Sequence, residues 1–163
     1  MVQYPIYAEA GMHAATGLPS PAGFVQFEAT DEHTCKIAFN FTGLGPGSHG
    51  LAIHEGQCQS NRCGDIGGHF NPFGKTHGGI DSADRHAGDL GNITANDDGT
   101  INGEIFNNII KLFGHKACVI GKTIAVHAKS DDLGKGGNRQ SLIDGNSGRA
   151  IVCGIISRCD YYD

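Results

Sequence analysis

Three histidines and one aspartate lie close together in the sequence and have the residue types of a transition-metal site. His69, His77, His86 and Asp89 are separated by seven, eight and two residues. Three imidazoles and one carboxylate make a four-coordinate set of nitrogen and oxygen donors, which suits zinc. The spacing and the glycine-rich surroundings predict a zinc site. The alternative is a group of solvated loop histidines.

The composition narrows the class of protein. The chain has 163 residues, enough for one domain, and we expect a single domain over residues 1–163. Nine histidines stand out, while the net charge of −5 argues against nucleic acid or an anionic membrane as partner. No apolar run is long enough to cross a bilayer, and no secretion signal opens the sequence. We therefore expect neither nucleic acid nor a membrane as partner.

The cysteines and the sequons indicate the cellular compartment in which the protein works. Six cysteines without a CxxC pair favour one to three disulfides in an oxidising environment over a zinc ribbon. Two sequons begin at Asn40 and Asn92, as in secreted proteins. These features favour an extracellular protein whose signal is absent from this chain over a cytoplasmic one.

Alternation of apolar and polar residues predicts an all-β fold that positions these side chains. Residues 97–100, Asp-Asp-Gly-Thr, predict a hairpin turn. About eight short strands separated by turns are typical of a β-sandwich or a Greek-key barrel. The predicted strands are residues 3–8, 23–30, 35–41, 50–54, 88–94, 103–106, 119–127 and 150–156.

Two long segments, residues 55–88 and 128–149, do not fit as strands. Both are rich in glycine and aspartate, and loops of this length in a small domain usually carry function. His54 ends the predicted strand before the first segment, and His127 ends the strand before the second. A single histidine at a strand end is more often structural than a metal ligand.

Over residues 23–156 the sequence resembles the copper/zinc superoxide dismutase family. Residues 68–72 (GHFNP), 75–79 (KTHGG) and 85–92 (RHAGDLGN) resemble its zinc loop, and residues 127–138 (HAKSDDLGKGGN) resemble its electrostatic loop. The resemblance implies an eight-stranded Greek-key β-barrel with two long functional loops, the zinc and disulfide loop and the electrostatic loop. It also implies a homodimer with superoxide as substrate, an antioxidant role and a copper chaperone as a further partner.

The resemblance assigns roles to individual residues. Asp131 matches the outer carboxylate that links a zinc-ligand histidine, here His77, to a copper-ligand histidine. Cys63 and Cys153 match the intrasubunit disulfide. The implied zinc ligands are His69, His77, His86 and Asp89, and the implied copper ligands are His54, His127 and the bridging His69.

One departure from the family pattern concerns copper. The family has His-x-His at the strand end, where this chain has Ala52-Ile53-His54. Alanine has no donor atom, and Cu(II) prefers four or more ligands. We therefore expect weaker Cu(II) binding, an altered potential and reduced activity. His49 matches a structural histidine of the family and does not replace the missing ligand.

A second departure concerns the positive charges that attract superoxide. The family's arginine aligns with Ala150, and Arg149 lies one position earlier, where strand geometry turns it away unless the loop shifts by one residue. Lys129 matches a residue that helps to attract the substrate. Ile143 and Asp144 stand where the family often has positive charge, which Arg139 offsets in part.

The remaining cysteines leave alternatives open. Cys58 and Cys159 lie in regions that approach each other at the family's dimer interface, which makes a Cys58–Cys159 bridge a hypothesis. Cys35 and Cys118 either form a bridge or are two buried apolar thiols.

Two functions follow from these residues. The first is superoxide dismutation at a copper centre bridged to a structural zinc, with reduced activity because of Ala52. The second is a non-enzymatic relative that binds zinc or handles copper. Ala52 as an engineered replacement of a ligand histidine is a third alternative.

Overall fold

A computed structural model describes residues 2–15, 22–59 and 62–159, and β-strands make up most of its regular structure. One short 3₁₀ helix, Gln140–Leu142, lies in the second long loop. Among the described residues, no helix is long and apolar enough to span a membrane. The strands are β1 (Ile6–Ala14), β2 (Ala22–Ala29), β3 (Cys35–Thr42), β4 (Gly47–His54), β5 (Asp89–Ala95), β6 (Ile101–Asn107), β7 (Thr123–His127), β8 (Ala150–Ile155) and β9 (Ser157–Cys159).

Eight of these strands form a nearly closed antiparallel barrel in the order β5-β4-β7-β8-β1-β2-β3-β6. The short strand β9 lies off this path and pairs with β1. The order confirms the predicted all-β, eight-stranded Greek-key barrel. It places β4 and β7, whose last residues are His54 and His127, side by side.

The predicted first strand was placed too early. It was predicted at residues 3–8, whereas β1 runs over Ile6–Ala14 and buries Ala8, Ala10 and Met12 in alternation. Alanine and glycine have low β propensity, so the composition of this strand concealed its alternating pattern.

The predicted strand over residues 119–127 begins too early. Residues 119–122 form a turn in which Gly121 has φ +84° and Lys122 N–H donates to Val119 O. The positive φ ends the extended conformation, and β7 starts only at Thr123.

The turn over residues 97–100 is present, but it does not close a hairpin ladder. Gly99 has φ +82°, and Asn96 N–H donates to Thr100 O at 2.9 Å. The strands that this turn joins pair elsewhere, β5 with β4 and β6 with β3. The turn therefore connects the two ends of the nearly closed barrel.

The barrel core follows the alternation of β2 and β3. Val25 and Phe27 of β2 and Ile37 and Phe41 of β3 are fully buried. By contrast, almost every residue of β4 and β7 is buried on both faces. One face packs in the core, and the other carries His54 and His127 at the strand ends. β4 ends at His54 and β5 starts at Asp89, while β7 ends at His127 and β8 starts at Ala150, so the predicted boundaries of the two long loops are confirmed.

Candidate metal centre

The carboxylate of Asp89 is held by the backbone in a defined orientation. Asp89 is the first residue of β5, and its Oδ2 accepts hydrogen bonds from Gly78 N–H at 3.1 Å and His86 N–H at 2.8 Å. Both donors belong to the first long loop, so this loop folds back over the strand. The other oxygen, Oδ1, remains to face the imidazoles.

Three imidazole nitrogens surround Oδ1 of Asp89. The Nδ1 atoms of His69, His77 and His86 lie 2.8, 2.9 and 3.2 Å from it, and His69 Nδ1 is 3.3 Å from His86 Nδ1. Zinc bonds of roughly 2.0–2.1 Å in a tetrahedron place neighbouring donors about 3.3 Å apart. All four residues are at most 8% exposed. The donor set therefore fits zinc.

The pKa shifts in this group reflect its crowded hydrogen bonding. Burial opposes the charged form of Asp89, but hydrogen bonds from His69 and His86 and the close contact with His77 outweigh it and lower the pKa of the carboxyl. Burial also lowers the pKa of His77, but the hydrogen bond to Asp131 and the nearby Asp89 carboxylate outweigh it and raise the pKa to about 9. The carboxylate is therefore ionised at neutral pH, as a metal ligand must be.

A second histidine pair lies at the ends of β4 and β7. His54 Nδ1–H donates to Gly67 O and His127 Nδ1–H donates to Gly148 O, both at 2.8 Å. A carbonyl can only accept, so these bonds require the proton on Nδ1 and leave Nε2 as the donor atom for a metal. The two Nε2 atoms are 2.9 Å apart.

The pKa of both histidines is lowered. Burial lowers the pKa of His54 to about 3, and the nearby His69 and His127 add to the shift. Burial is also the main cause of the lowered pKa of His127. Both rings are therefore neutral at physiological pH and keep the lone pair that a metal needs.

His69 belongs to both groups. Its Nδ1 contacts Asp89, and its donor atoms also group with those of His54 and His127 within 4.8 Å. The Nε2 atom of His69 is buried and has no hydrogen-bond partner among the described residues. A buried ring nitrogen without a partner fits a second metal on that side.

A known protein family has a sequence model that matches this chain. The sequence model of the copper/zinc superoxide dismutase (SODC) family matches residues 21–156. This chain belongs to that family. The barrel, the two long loops and the two histidine groups agree with this membership.

Position 52 distinguishes this chain within the dismutase family's pattern. Ala52 lies in β4 opposite Ala125 of β7 and Asp89 of β5, and it is only 2% exposed. The copper-type group therefore has three imidazoles, those of His54, His69 and His127. Three nitrogen donors fit copper with a smaller ligand set than the family pattern implies.

His49 does not belong to this group of three imidazoles. It hydrogen-bonds through both ring nitrogens to the carbonyls of His127 and Gly45.

Asp131 joins the two long loops at the zinc-type group, which consists of His69, His77, His86 and Asp89. Its Oδ1 lies 2.7 Å from His77 Nε2. Its backbone is held by Asn92 of β5, whose Nδ2 donates to Asp131 O and whose Oδ1 accepts from Asp131 N–H. Asn92 begins one of the two sequons, and its side-chain amide is engaged in these hydrogen bonds.

Gly145 is a site residue that the sequence did not reveal. It has φ +73°, and a Cβ there would lie 2.0 Å from Asp131 Oδ1 and 2.6 Å from His77 Nε2. Only glycine leaves space for the His77–Asp131 hydrogen bond. A glycine in a glycine-rich loop carries no signal that separates it from its neighbours.

A cavity of about 530 Å³ opens beside the copper-type histidines. Arg149 lies on its wall although it is one position before the family's arginine. The wall also includes Ile143 and Asp144, and Arg62 adds a positive charge that the sequence did not suggest. Lys129 is exposed but is not part of this wall. Arg139 is also exposed and outside it.

The disulfide predicted from the resemblance is formed between Cys63 and Cys153. The hypothetical Cys58–Cys159 bridge is not formed, because Cys58 is a buried free thiol that packs against this disulfide. Cys159 lies instead in β9, opposite Tyr7 of β1. A Cys35–Cys118 bridge is also not formed, and Cys35 is a buried thiol.

Proposed function

We propose that this protein catalyses the dismutation of superoxide to oxygen and hydrogen peroxide. The observation that supports this proposal most directly is that His69 belongs to two donor groups at once. Its Nδ1 lies on the zinc-type side, and its Nε2 is left for the copper-type side. Zinc would be held by His69, His77, His86 and Asp89, and copper by His54, His69 and His127. When bound, copper supplies the one-electron chemistry that oxidises one superoxide and reduces the next.

The protein's own residues bind and orient in this proposal. His54 and His127 stay neutral and are oriented by the carbonyls of Gly67 and Gly148. His69 Nε2 would hold copper, and when it does not hold copper it is the ring nitrogen placed to hold a proton for the reduced product. Arg149 on the cavity wall attracts the anion, and the exposed Lys129 adds positive charge outside that wall. The substrate is superoxide, the protein acts as a homodimer, and a copper chaperone delivers the metal.

Reduced activity is part of the proposal. Ala52 removes one imidazole from the copper-type group, and Asp144 adds negative charge to the cavity wall that superoxide must approach. Both changes lower the expected rate, through weaker Cu(II) binding and through slower association.

The test is a superoxide assay on protein loaded with zinc and then with copper. A chelator that removes free copper is present throughout, and metal content is measured on the same sample. We expect one copper and one zinc per chain and a rate above that of the chelated copper alone. His127→Ala should lose copper and activity but keep zinc, because His127 is not in the zinc-type group.

The same assay separates the enzyme from a metal-binding relative. The observation that favours the relative is the buried Ala52 in place of a ligand. A chain that holds both metals but shows no rate above the chelated control is a metal-binding protein. A chain that takes up no copper contradicts the dismutase proposal altogether.

A further inference from the structure

A third sulfur lies next to the disulfide. Cys58 follows β4, is 6% exposed and carries a free thiol. The Sγ atoms of Cys58 and Cys153 and a ring nitrogen of His13 all lie within 4.8 Å of one another. This group is separate from both histidine groups of the metal centre.

The position of Cys58 is fixed by its backbone. Cys58 N–H donates to Thr123 Oγ1 at 2.9 Å, and Thr123 Oγ1 donates to Gly56 O at 2.8 Å. Thr123 is the first residue of β7 and is fully buried. The thiol is therefore held at the disulfide by the barrel and does not reach it by chance motion of a loose loop.

His13 provides a base beside this thiol. It lies in β1 directly opposite Cys153 in the pairing with β8. Its Nε2 is buried, and among the described residues it has no hydrogen-bond partner. One ring nitrogen of His13 lies within 4.8 Å of Cys58 Sγ. An imidazole that close, with a ring nitrogen not engaged in a hydrogen bond, can accept the thiol proton when the two groups approach each other.

We propose that Cys58, His13 and the Cys63–Cys153 disulfide form a thiol–disulfide exchange site whose external substrate is a disulfide. His13 takes the proton of Cys58, and the Cys58 thiolate attacks Cys153 Sγ. The Cys58–Cys153 bond forms, the Cys63–Cys153 bond breaks, and Cys63 leaves as the thiolate. The step conserves the number of disulfides and needs no oxidant.

The released Cys63 is the sulfur that meets an external disulfide. Cys63 and its neighbour Arg62 line the cavity beside His54, whereas Cys58 is not part of that wall. The Cys63 thiolate attacks the external disulfide, forms a mixed disulfide and releases one thiolate of the substrate. Burial raises the pKa of the Cys58 thiol, so direct reaction of Cys58 with solvent disulfides is slow and its transfer to Cys153 depends on His13.

The exchange also moves the anchor of the first long loop. With Cys63 bonded to Cys153, the loop is tied to β8 five positions closer to His69 than it is with Cys58 bonded. The segment from Cys58 to His69 includes Gly67, whose carbonyl orients His54. Exchange therefore loosens the chain that holds both His54 and His69.

Trypsin separates the three cysteines, which makes the test direct. Cleavage after lysine and arginine places Cys58 in residues 37–62, Cys63 in residues 63–75 and Cys153 in residues 150–158. Zinc-loaded protein is incubated with oxidised glutathione, free thiols are blocked with iodoacetamide, and the digest is mapped without reduction. We expect glutathione on residues 63–75 together with a link between residues 37–62 and 150–158.

Two other outcomes contradict the proposal. Glutathione on residues 37–62, with the Cys63–Cys153 link intact, identifies Cys58 as a simple accessible thiol. The absence of any adduct contradicts the proposed external substrate, and the absence of the link between residues 37–62 and 150–158 as well shows that no exchange takes place. Cys58→Ser is the matched control, and in that variant residues 63–75 must stay free of glutathione.

Two further variants test the individual roles. Cys63→Ser should form the Cys58–Cys153 link during air oxidation, because the two sulfurs are already neighbours. His13→Gln should keep the resting Cys63–Cys153 link and slow the appearance of the adduct by at least about tenfold, as expected for loss of a general base. An unchanged rate in His13→Gln removes the base from the proposal. A map of Cys63→Ser with Cys58 still free contradicts the exchange step. These readouts do not involve superoxide, so their results are independent of the proposed function.

Discussion

The Nε2 atom of His77 lies 2.7 Å from Oδ1 of Asp131, and this hydrogen bond joins the two long loops behind the zinc-type group. His77 comes from the loop over residues 55–88, and Asp131 comes from the loop over residues 128–149. A second bond reinforces the junction, because His77 N–H donates to Leu142 O at 2.9 Å. The opposite ring nitrogen of His77 faces Asp89. Order in the zinc-type group is thereby linked to order in the second loop.

Asp131→Asn should weaken zinc binding. Asparagine keeps the size and an acceptor oxygen, but it removes the negative charge that makes the His77 ring a better ligand. Loss of such an outer partner costs roughly 10- to 100-fold in metal affinity. Zinc affinity is measured by competition with a chelator. Asp97→Asn in the exposed turn makes the same charge change away from the site, and equal affinities for the two variants contradict the prediction.

Gly145→Ala should break the His77–Asp131 hydrogen bond. The added methyl group would lie 2.0 Å from Asp131 Oδ1, and the residue has φ +73°. A left-handed conformation alone costs an alanine roughly 1–2 kcal/mol. Gly137→Ala is the matched control, since Gly137 has φ +80° and open space around its Cβ. Urea unfolding of zinc-loaded protein should show a larger loss of unfolding free energy for Gly145→Ala, together with weaker zinc binding that the control lacks.

The sequence predicts the chemistry of this site better than its geometry. The types and spacing of His69, His77, His86 and Asp89 indicate the zinc-type group, and both loop boundaries agree with the structure. Gly145 could not be predicted, because its role depends on a close approach between two loops that are far apart in sequence. The alanine- and glycine-rich β1 was misplaced for a related reason, since its burial is set by its neighbours in the sheet and not by propensity.

The cysteine pairing could also be predicted only in part from the sequence. The family resemblance identified the Cys63–Cys153 bond, but the position of Cys58 beside it depends on the backbone bond to Thr123 at the start of β7. Spacing in the sequence contains no information on that contact. The Cys58–Cys159 hypothesis was wrong for this reason.

Ala52→His should strengthen Cu(II) binding. It adds an imidazole to the β4 face that ends in His54, two positions along the strand. We expect an affinity gain of more than about tenfold, since even an outer partner of a metal ligand contributes that much. Copper competition with a chelator and the nitrogen couplings in the Cu(II) electron paramagnetic resonance spectrum measure the effect. Ala52→Leu fills a similar volume without a donor atom, and an equal gain in that variant rules out the added ligand as the cause.

Arg149→Ala should slow the reaction with superoxide and reduce its dependence on salt. Arg149 is exposed and lies on the wall of the cavity beside His54 and His127. A positive charge at such a wall raises the association rate of an anion, and dissolved salt screens that attraction. We expect a loss of about three- to tenfold at low ionic strength, measured as the second-order rate constant. Arg158→Ala, in β9 and outside the cavity wall, should leave the rate unchanged, and equal effects of both variants exclude local steering.

Ile143→Lys should have the opposite effect. Ile143 is 47% exposed and lies on the same wall, next to Asp144. Lysine at this position adds positive charge next to Asp144, and its long side chain reaches solvent without burying the charge. The second-order rate constant should rise by about three- to tenfold at low ionic strength and fall back towards the unmodified value as salt increases. Ile143→Met keeps the apolar character and should change nothing. A gain that persists at high salt would mean that the substitution acts through loop structure and not through the field at the cavity.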